Sequence, residues 1–148
     1  MDTVATQPIV VRQAQVKDLP NVIGCLTQMV EATGYRIIPS QRDPFYAMDW
    51  LFDKMHDPNS LFLVAESESE IVGLCGGSVV PFMMLNDFPH LWEWAWWVRE
   101  ENDGTARKLW TEMKTWAKAH GAKGCHYGKS VATSETTLEE TLYWRMWT

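Results

Sequence analysis

The chain has 148 residues and 17.1 kDa, with 46% hydrophobic and 22% charged residues. This is the size and balance of one ordinary domain, here residues 1–148, and it excludes a disordered, collagen-like or low-complexity chain. The net charge of −6 is uneven, at −7 over residues 1–98, +3 over 99–131 and −2 over 132–148. Such a balance lacks the broad positive face a nucleic-acid duplex requires and suits a small polyanionic ligand better.

The longest charge-free stretch, Ile71–Asn86, is broken by Gly73, Gly76, Gly77 and Pro81. It falls short of the ~20 apolar residues of a membrane helix, so no membrane span is expected. The opening MDTVATQP has neither a basic segment nor an apolar signal core, and Cys25, Cys75 and Cys125 form no CxxC pair. The expectation is a reduced, cytoplasmic protein without structural zinc.

In chain order, Ile9–Val11 with Arg12, Gln13 and Ala14 reads as a short strand, and Asp18 as the N-cap of a helix. Leu19, Val22, Ile23, Leu26, Met29 and Val30 form one face of that helix, which should end near Gly34. After a loop from Tyr35 to Arg42, Asp43 caps a second helix with Pro44 at its first position. Its stripe is Phe45, Met48, Leu51, Phe52 and Met55, and Pro58 stops it. Leu61–Glu66 and Ile71–Val80 read as an antiparallel hairpin joined by Ser67–Glu70. Met83 to His90 reads as irregular. Leu91–Val98 is apolar at nearly every position, as a central strand buried on both faces would be. A loop from Arg99 leads to a helix carrying Ala106, Leu109, Trp110, Met113, Trp116 and Ala117, ended by Gly121. Ala122–Val131 is then a strand parallel to the central one, with that helix as crossover. Thr133 or Ser134 caps a last helix with Leu138, Leu142, Tyr143 and Met146. The predicted order is β-α-α-β-β-β-α-β-α.

The loop Glu101–Arg107 places small residues where a helix begins. A helix N-terminus offers several unpaired N–H groups and about +0.5 of a charge, and glycine admits an anion close to the backbone. The same Asn-Asp-Gly-Thr run also suits an ordinary turn and cap, so both readings stand on this loop alone.

With these elements in place, the chain resembles the GNAT superfamily of acetyl-CoA-dependent N-acetyltransferases from about Ile9 to its end. Arg12, Ala14, Asp18, Leu19 and Pro20 are similar to that family's Arg-x-Ala and Asp-Leu-Pro signature at the first strand and helix. IVGLCGG at Ile71–Gly77 looks like its third strand, and WWV at Trp96–Val98 like the end of its fourth. LYWRMW at Leu142–Trp147 is similar to its Leu-Tyr-Glu-Lys-Leu-Gly segment.

The resemblance implies a single-domain α/β, GNAT-like acyl-CoA N-acyltransferase fold, a mixed central sheet flanked by helices. It implies acetyl-CoA as cofactor, with pantetheine along Trp96 and Val98 and pyrophosphate at Asn102, Asp103, Gly104, Thr105, Ala106 and Arg107. An acidic residue stands where the family carries a basic or amide one, Glu101 or Asp103 depending on register. Arg99, Arg107 or Lys108 would have to offset it. The family also continues into two further strands where this sequence stops at Thr148. That leaves the edge of the Ala122–Val131 strand open and leads to the expectation of a homodimer.

Acetyl transfer needs an amine and a thioester held together, a group to take the ammonium proton and one to meet the departing thiolate. Glu93, desolvated among tryptophans, is the candidate base, and its alternative is a solvated edge carboxylate. Tyr143 matches the family's general acid, and its alternative is a core aromatic. Trp92, Trp94 and Trp96 share one face by the two-residue period, where they either fill the core or stack on a ligand. His56, His90, His120 and His126 have no metal-ligand spacing, and no metal is implied. Cys125 and His126 are strand neighbours on opposite faces, which argues against a thiolate–imidazole pair. The expected function is acetyl transfer from acetyl-CoA to an unidentified amine, of a small molecule or a protein. The alternative is a non-catalytic protein of this fold acting through protein–protein contacts.

Overall fold

A computed structural model describes residues 8–32, 44–82, 85–99, 104–132 and 138–146. Its elements are β1 (Val10–Gln13), α1 (Leu19–Ala32), α2 (Pro44–Met55), β2 (Ser60–Ser67), β3 (Glu70–Phe82), β4 (Leu85–Val98), α3 (Thr105–Ala119), β5 (Gly124–Ala132) and β6 (Leu138–Met146). They form one six-stranded sheet in the order β1-β2-β3-β4-β5-β6. Every neighbouring pair is antiparallel except β4 and β5, which run parallel with α3 as the crossover.

Leu61–Ala65 is buried at every position because both faces of β2 are covered. Leu61, Leu63 and Ala65 meet Leu109, Met113 and Ala117 of α3. Phe62 and Val64 lie with Leu19 and Val22 of α1 and Leu51 of α2. Alternating residues thus serve two helical layers, and the sequence shows an unbroken apolar run. The β2–β3 turn has Glu68 and Ser69 at φ 51° and 68°. Two left-handed residues are what a tight two-residue hairpin with the native strand twist requires.

The Arg12…Asp18 signature has a direct physical cause. Asp18 is not a side-chain cap of α1 as expected from the sequence; it ends a short 3-10 turn, Val16–Asp18, that precedes α1. Its buried carboxylate accepts the Gln15 backbone N–H at 2.7 Å and both Arg12 Nη atoms at 2.7 and 2.9 Å. Arg12 Nε reaches Glu66 Oε2 on β2 at 2.8 Å. One guanidinium therefore fixes the start of α1 to the first two strands.

Five further expectations are corrected, the first being the stripe of α2, in which Phe45 and Phe52 are exposed while Met48, Leu51 and Met55 face the core. The segment Leu138–Met146 is a strand antiparallel to β5, not a helix. Leu138, Leu142 and Met146 recur every four residues, a spacing that keeps one face in a helix and also in a strand, so periodicity could not separate the two. In consequence the edge of β5 is not open, because β6 covers it. Of the stretch Met83–His90, Met83 and Met84 lie outside the described residues, and the rest is not irregular, since β4 begins at Leu85 and Pro89 stands opposite Pro81. Two prolines facing each other have no N–H to exchange, and the Pro89 carbonyl instead accepts the Lys123 N–H at 2.9 Å. Lastly, Trp92, Trp94 and Trp96 do not share a face, since Trp94 packs with α1 and α2 and Trp96 packs towards α3. The Tyr35–Arg42 loop, Asp43 and the Thr133–Ser134 cap lie outside the described residues.

The Arg12 guanidinium holds the Asp18 carboxyl below the ordinary carboxylate range. A group whose pKa is lowered by folding stabilises above its unfolded value of about 3.9, and that contribution is lost as pH falls through its folded value. Asp18→Asn should cost roughly 1.5–3 kcal/mol at neutral pH, the value of hydrogen bonds to a charged group. In urea melts the gap between wild type and variant should close as the medium is acidified below the carboxylate range. A gap independent of pH would show that the ion pair is not its source.

Candidate functional site

Gly76 is paired with Ala95 and Gly77 with Glu93, so Trp94 is an extra residue on β4, a β-bulge. A bulge turns the residues on either side of it out of simple alternation and bends the strand. This is why the tryptophans separate. The Trp94 ring stands edge-on to Trp50 of α2 at 4.9 Å between centroids, and its Nε1–H donates to Ser78 Oγ at 2.9 Å. A Cβ at Gly76 would lie 2.3 Å from that ring, so only glycine leaves it room.

The bulge decides how far β4 and β5 run together. They pair at Leu91↔Cys125 and Trp92↔His126. Beyond Trp92, among the described residues, no strand pairs with the β5-facing edge of β4. The sheet is therefore parted from the level of Glu93 to Val98, beside half-buried Trp96 and Val98. A strand edge of this kind pairs with any extended chain that alternates amide donors and acceptors.

The parted edge leads towards the start of α3. Gly104 has φ 70°, and nothing lies within 4 Å of the position its Cβ would take. Lys108 N–H closes the first helical turn on Gly104 O at 3.0 Å. The N–H groups of Thr105, Ala106 and Arg107 therefore have no partner within the helix and carry its positive end. Thr105 is buried, Ala106 half-buried, and Arg107 and Lys108 are exposed cations one turn in. Arg99, at the end of β4, holds Glu70 Oε2 at 2.8 Å. Asn102 and Asp103 lie outside the described residues.

Glu93 is half-buried, and its register with Gly77 puts it on the α3 side of the sheet. Its charge adds to burial in pushing the Cys75 thiol up. The structure thus brings Glu93, Trp96, Val98, Gly104, Thr105, Ala106 and Arg107 along one path from the bulge to the helix. Tyr143 is not on that path. It stands on β6 opposite Tyr127, two strands from β4. Tyr127, which the sequence pattern does not single out, follows His126, the last β5 residue paired with β4, and so stands level with Glu93 where the strands part. Only the register of a long crossover reveals this.

Among the described residues no three His, Cys, Asp or Glu side chains gather to hold a metal ion. No helix among them is long and apolar enough to cross a membrane.

Residues 28–135 match the model of the acetyltransferase (GNAT) family, and the chain belongs to that family. Solved structures share the fold at low identity. A predicted acetyltransferase with acetyl-CoA from Clostridium acetobutylicum is 13% identical, with a TM-score of 0.66 over 80% of this chain and 79% of that one. The ribosomal-protein-alanine N-acetyltransferase of Brucella melitensis is 22% identical, with a TM-score of 0.65 over 86% and 78%. An aminoglycoside acetyltransferase from an uncultured soil metagenomic sample, in complex with sisomicin, is 17% identical, with a TM-score of 0.60 over 79% and 74%. No curated protein matches the sequence at a significant level.

The tight fit at Gly76 generates a paired test. Gly76→Val should destabilise by about 1–3 kcal/mol, the usual penalty of overpacking, and change the tryptophan emission as Trp94 is displaced. Gly24, in α1 with open space around it, should behave oppositely, with Gly24→Ala gaining roughly 0.5–1 kcal/mol. Equal effects at the two sites in denaturant melts would remove the steric argument for the bulge.

Proposed function

We propose that this GNAT acetyltransferase moves the acetyl group of acetyl-CoA to an amine, along the path from Glu93 to the N-terminus of α3. The observation that carries the reading is the bulge at Trp94, which ends the β4–β5 ladder at Trp92 and leaves a strand edge leading to the open glycine at Gly104. These features fit the parts of acetyl-CoA one by one. The amide-bearing pantetheine arm has an extended edge at Trp96–Val98 to pair with. The pyrophosphate has the unpaired N–H groups at Thr105, Ala106 and Arg107, with space over Gly104 for a close approach. Arg107 and Lys108 supply the positive charge that an acidic Glu101 or Asp103 nearby would otherwise oppose. Asn102 and Asp103 complete the proposed loop.

Held by these residues, acetyl-CoA would supply the thioester carbonyl that the amine attacks. The chain's own contribution is orientation and proton handling. Glu93, half-buried at that level, takes the proton that the acceptor must lose before its nitrogen can attack. Partial desolvation favours a carboxylate that accepts a proton. The nitrogen–carbon bond forms as the carbon–sulfur bond breaks, and the departing thiolate receives a proton. Tyr127 and Tyr143, in register across β5 and β6, are the phenols proposed for that step, Tyr127 one strand from Glu93 and Tyr143 two. Cys25, Cys75 and Cys125 are all thiols, which fits a reducing, cytoplasmic compartment.

Calorimetric titration with acetyl-CoA and with desulfo-CoA should give saturable heat for both, and Arg107→Ala should weaken binding and flatten its salt dependence while leaving Tm unchanged. Absence of saturable heat in the wild type would replace the enzyme with a protein acting through contacts alone. Once an amine is turned over, Glu93→Gln should lower kcat by about 10²–10⁴-fold with binding retained, the usual range for a lost general base. Tyr127→Phe should lower kcat more than Tyr143→Phe. The reverse order would return the acid role to Tyr143, and full turnover in both would exclude either phenol.

A further inference from the structure

The Ser78 hydroxyl that receives the Trp94 indole is not the end of its hydrogen-bond chain. Ser78 on β3 faces Ser60 on β2 in the antiparallel ladder, and their Oγ atoms lie 2.7 Å apart. Ser60 Oγ also meets Asp57 Oδ2 at 2.9 Å. Asp57 belongs to the connection between α2 and β2, where its Oδ1 accepts the Asn59 N–H at 2.9 Å. Asn59 O in turn accepts the Val79 N–H of β3 at 2.8 Å. A carboxylate outside the sheet is thereby joined, through two hydroxyls, to the ring that makes the bulge.

The hydrogens of this chain can run only one way. An indole N–H donates and cannot accept, a carboxylate accepts and cannot donate, and a serine hydroxyl has one hydrogen to give. The Asn59 N–H, opposed by burial and supported by the Ser60 hydroxyl and the charge of Lys54, holds the Asp57 carboxyl below the ordinary carboxylate range, so it is ionised at neutral pH. Ser60 must then give its hydrogen to Asp57 and take that of Ser78, and Ser78 takes that of Trp94. Ser78 is 1% exposed, so solvent does not replace a missing link. Hydrogen bonds aligned in this way polarise one another, and one that ends on a charge is stronger than a neutral one.

We propose that Asp57, acting through Ser60 and Ser78, is a positioning residue for the cofactor arm: it fixes the Trp94 indole and with it the bulge that parts β4 from β5. The proposal rests on the acetyl-transfer reading for the identity of the ligand, and on the hydrogen-bond chain for the role of Asp57. None of the three residues stands at the opening itself. They reach it through Trp94.

Asp57→Asn tests the direction of the chain with almost no change of shape, because an amide has one oxygen where the carboxylate uses two. With that oxygen on the Asn59 N–H, the amide N–H₂ faces Ser60, the Ser60 hydrogen turns to Ser78, and the Ser78 hydrogen competes with the indole N–H. With the oxygen turned to Ser60, the Asn59 N–H loses its acceptor and the charge at the end of the chain is gone. In the full chain labelled at its indole nitrogens, the Trp94 N–H resonance, assigned by its absence in Trp94→Phe, should move upfield in Asp57→Asn and in Ser60→Ala. It should return to the wild-type position in Ser60→Thr, which restores a hydroxyl. By calorimetry, Asp57→Asn and Ser60→Ala should bind acetyl-CoA about tenfold more weakly, the order of one lost hydrogen bond to a charged group. Both should bind 3′-phospho-ADP, the part of the cofactor that lacks the arm, as the wild type does. An unmoved Trp94 resonance in folded variants, wild-type affinity for acetyl-CoA, equal weakening of both ligands, or no recovery in Ser60→Thr would each overturn the proposal while leaving the acetyl-transfer reading in place. A wild type that binds neither ligand would overturn that reading, and the role of Asp57 with it.

Discussion

The packing of the Trp94 ring over Gly76 is the constraint on which the site depends. An indole placed in the layer of α1 and α2, held by Ser78 and Trp50, can be accommodated only where the facing strand has no Cβ. Its position puts one residue too many on β4. The ladder to β5 then ends two pairs after it begins, and the strand edge that follows has no strand partner among the described residues. A glycine on β3, a tryptophan on β4 and an indole hydrogen bond thus convert a closed sheet into one with an opening.

The remainder of the fold keeps that opening in place. β2 is buried on both sides, against α3 on one and α1 with α2 on the other, so neither helical layer can shift without disturbing the other. Arg12 ties the first strand, the start of α1 and Glu66 of β2 through one guanidinium. On the opposite side of the sheet, Leu109 and Met113 anchor α3 in the core with no measurable exposure. The N-terminus of α3 is held by the same packing: Thr105 is buried against Gly73, so the N–H groups at Gly104–Arg107 sit where the parted edge of β4 runs out. Binding groups supplied by backbone on rigid elements need little rearrangement when a ligand arrives, which favours affinity.

The chemistry proposed for this opening asks little of the side chains. An acyl transfer between a thioester and an amine is accelerated mainly by holding the two together and by moving one proton at the right time. A backbone edge for an extended arm, a helix end for the phosphates and one half-buried carboxylate account for those requirements. This explains why an acidic chain with little positive charge outside residues 99–131 fits a reading in which a polyanionic cofactor is bound, since backbone dipoles carry much of the electrostatic work.

By itself the sequence determined the features that depend on local pattern. The core faces of α1 and α3, the β2–β3 hairpin, the crossover that makes β4 and β5 parallel and the Gly104 opening of α3 are all written in periodicity, caps and breakers. The Arg12–Asp18 signature was legible as a family resemblance, although its cause, a buried ion pair to a 3-10 turn, was not. What only the tertiary structure decided are the features set by register between distant segments. Trp94 reads as one more alternate residue until its pairing with β3 makes it a bulge, and Tyr127 is ordinary until β5 is aligned with β4. Leu138, Leu142 and Met146 satisfy a helix and a strand equally, because a four-residue spacing stays on one face of either; pairing with β5 chose the strand. Periodicity along a chain fixes which face a residue takes, but hydrogen bonds between strands fix what stands opposite, and in this protein the site and the last strand both follow from the second.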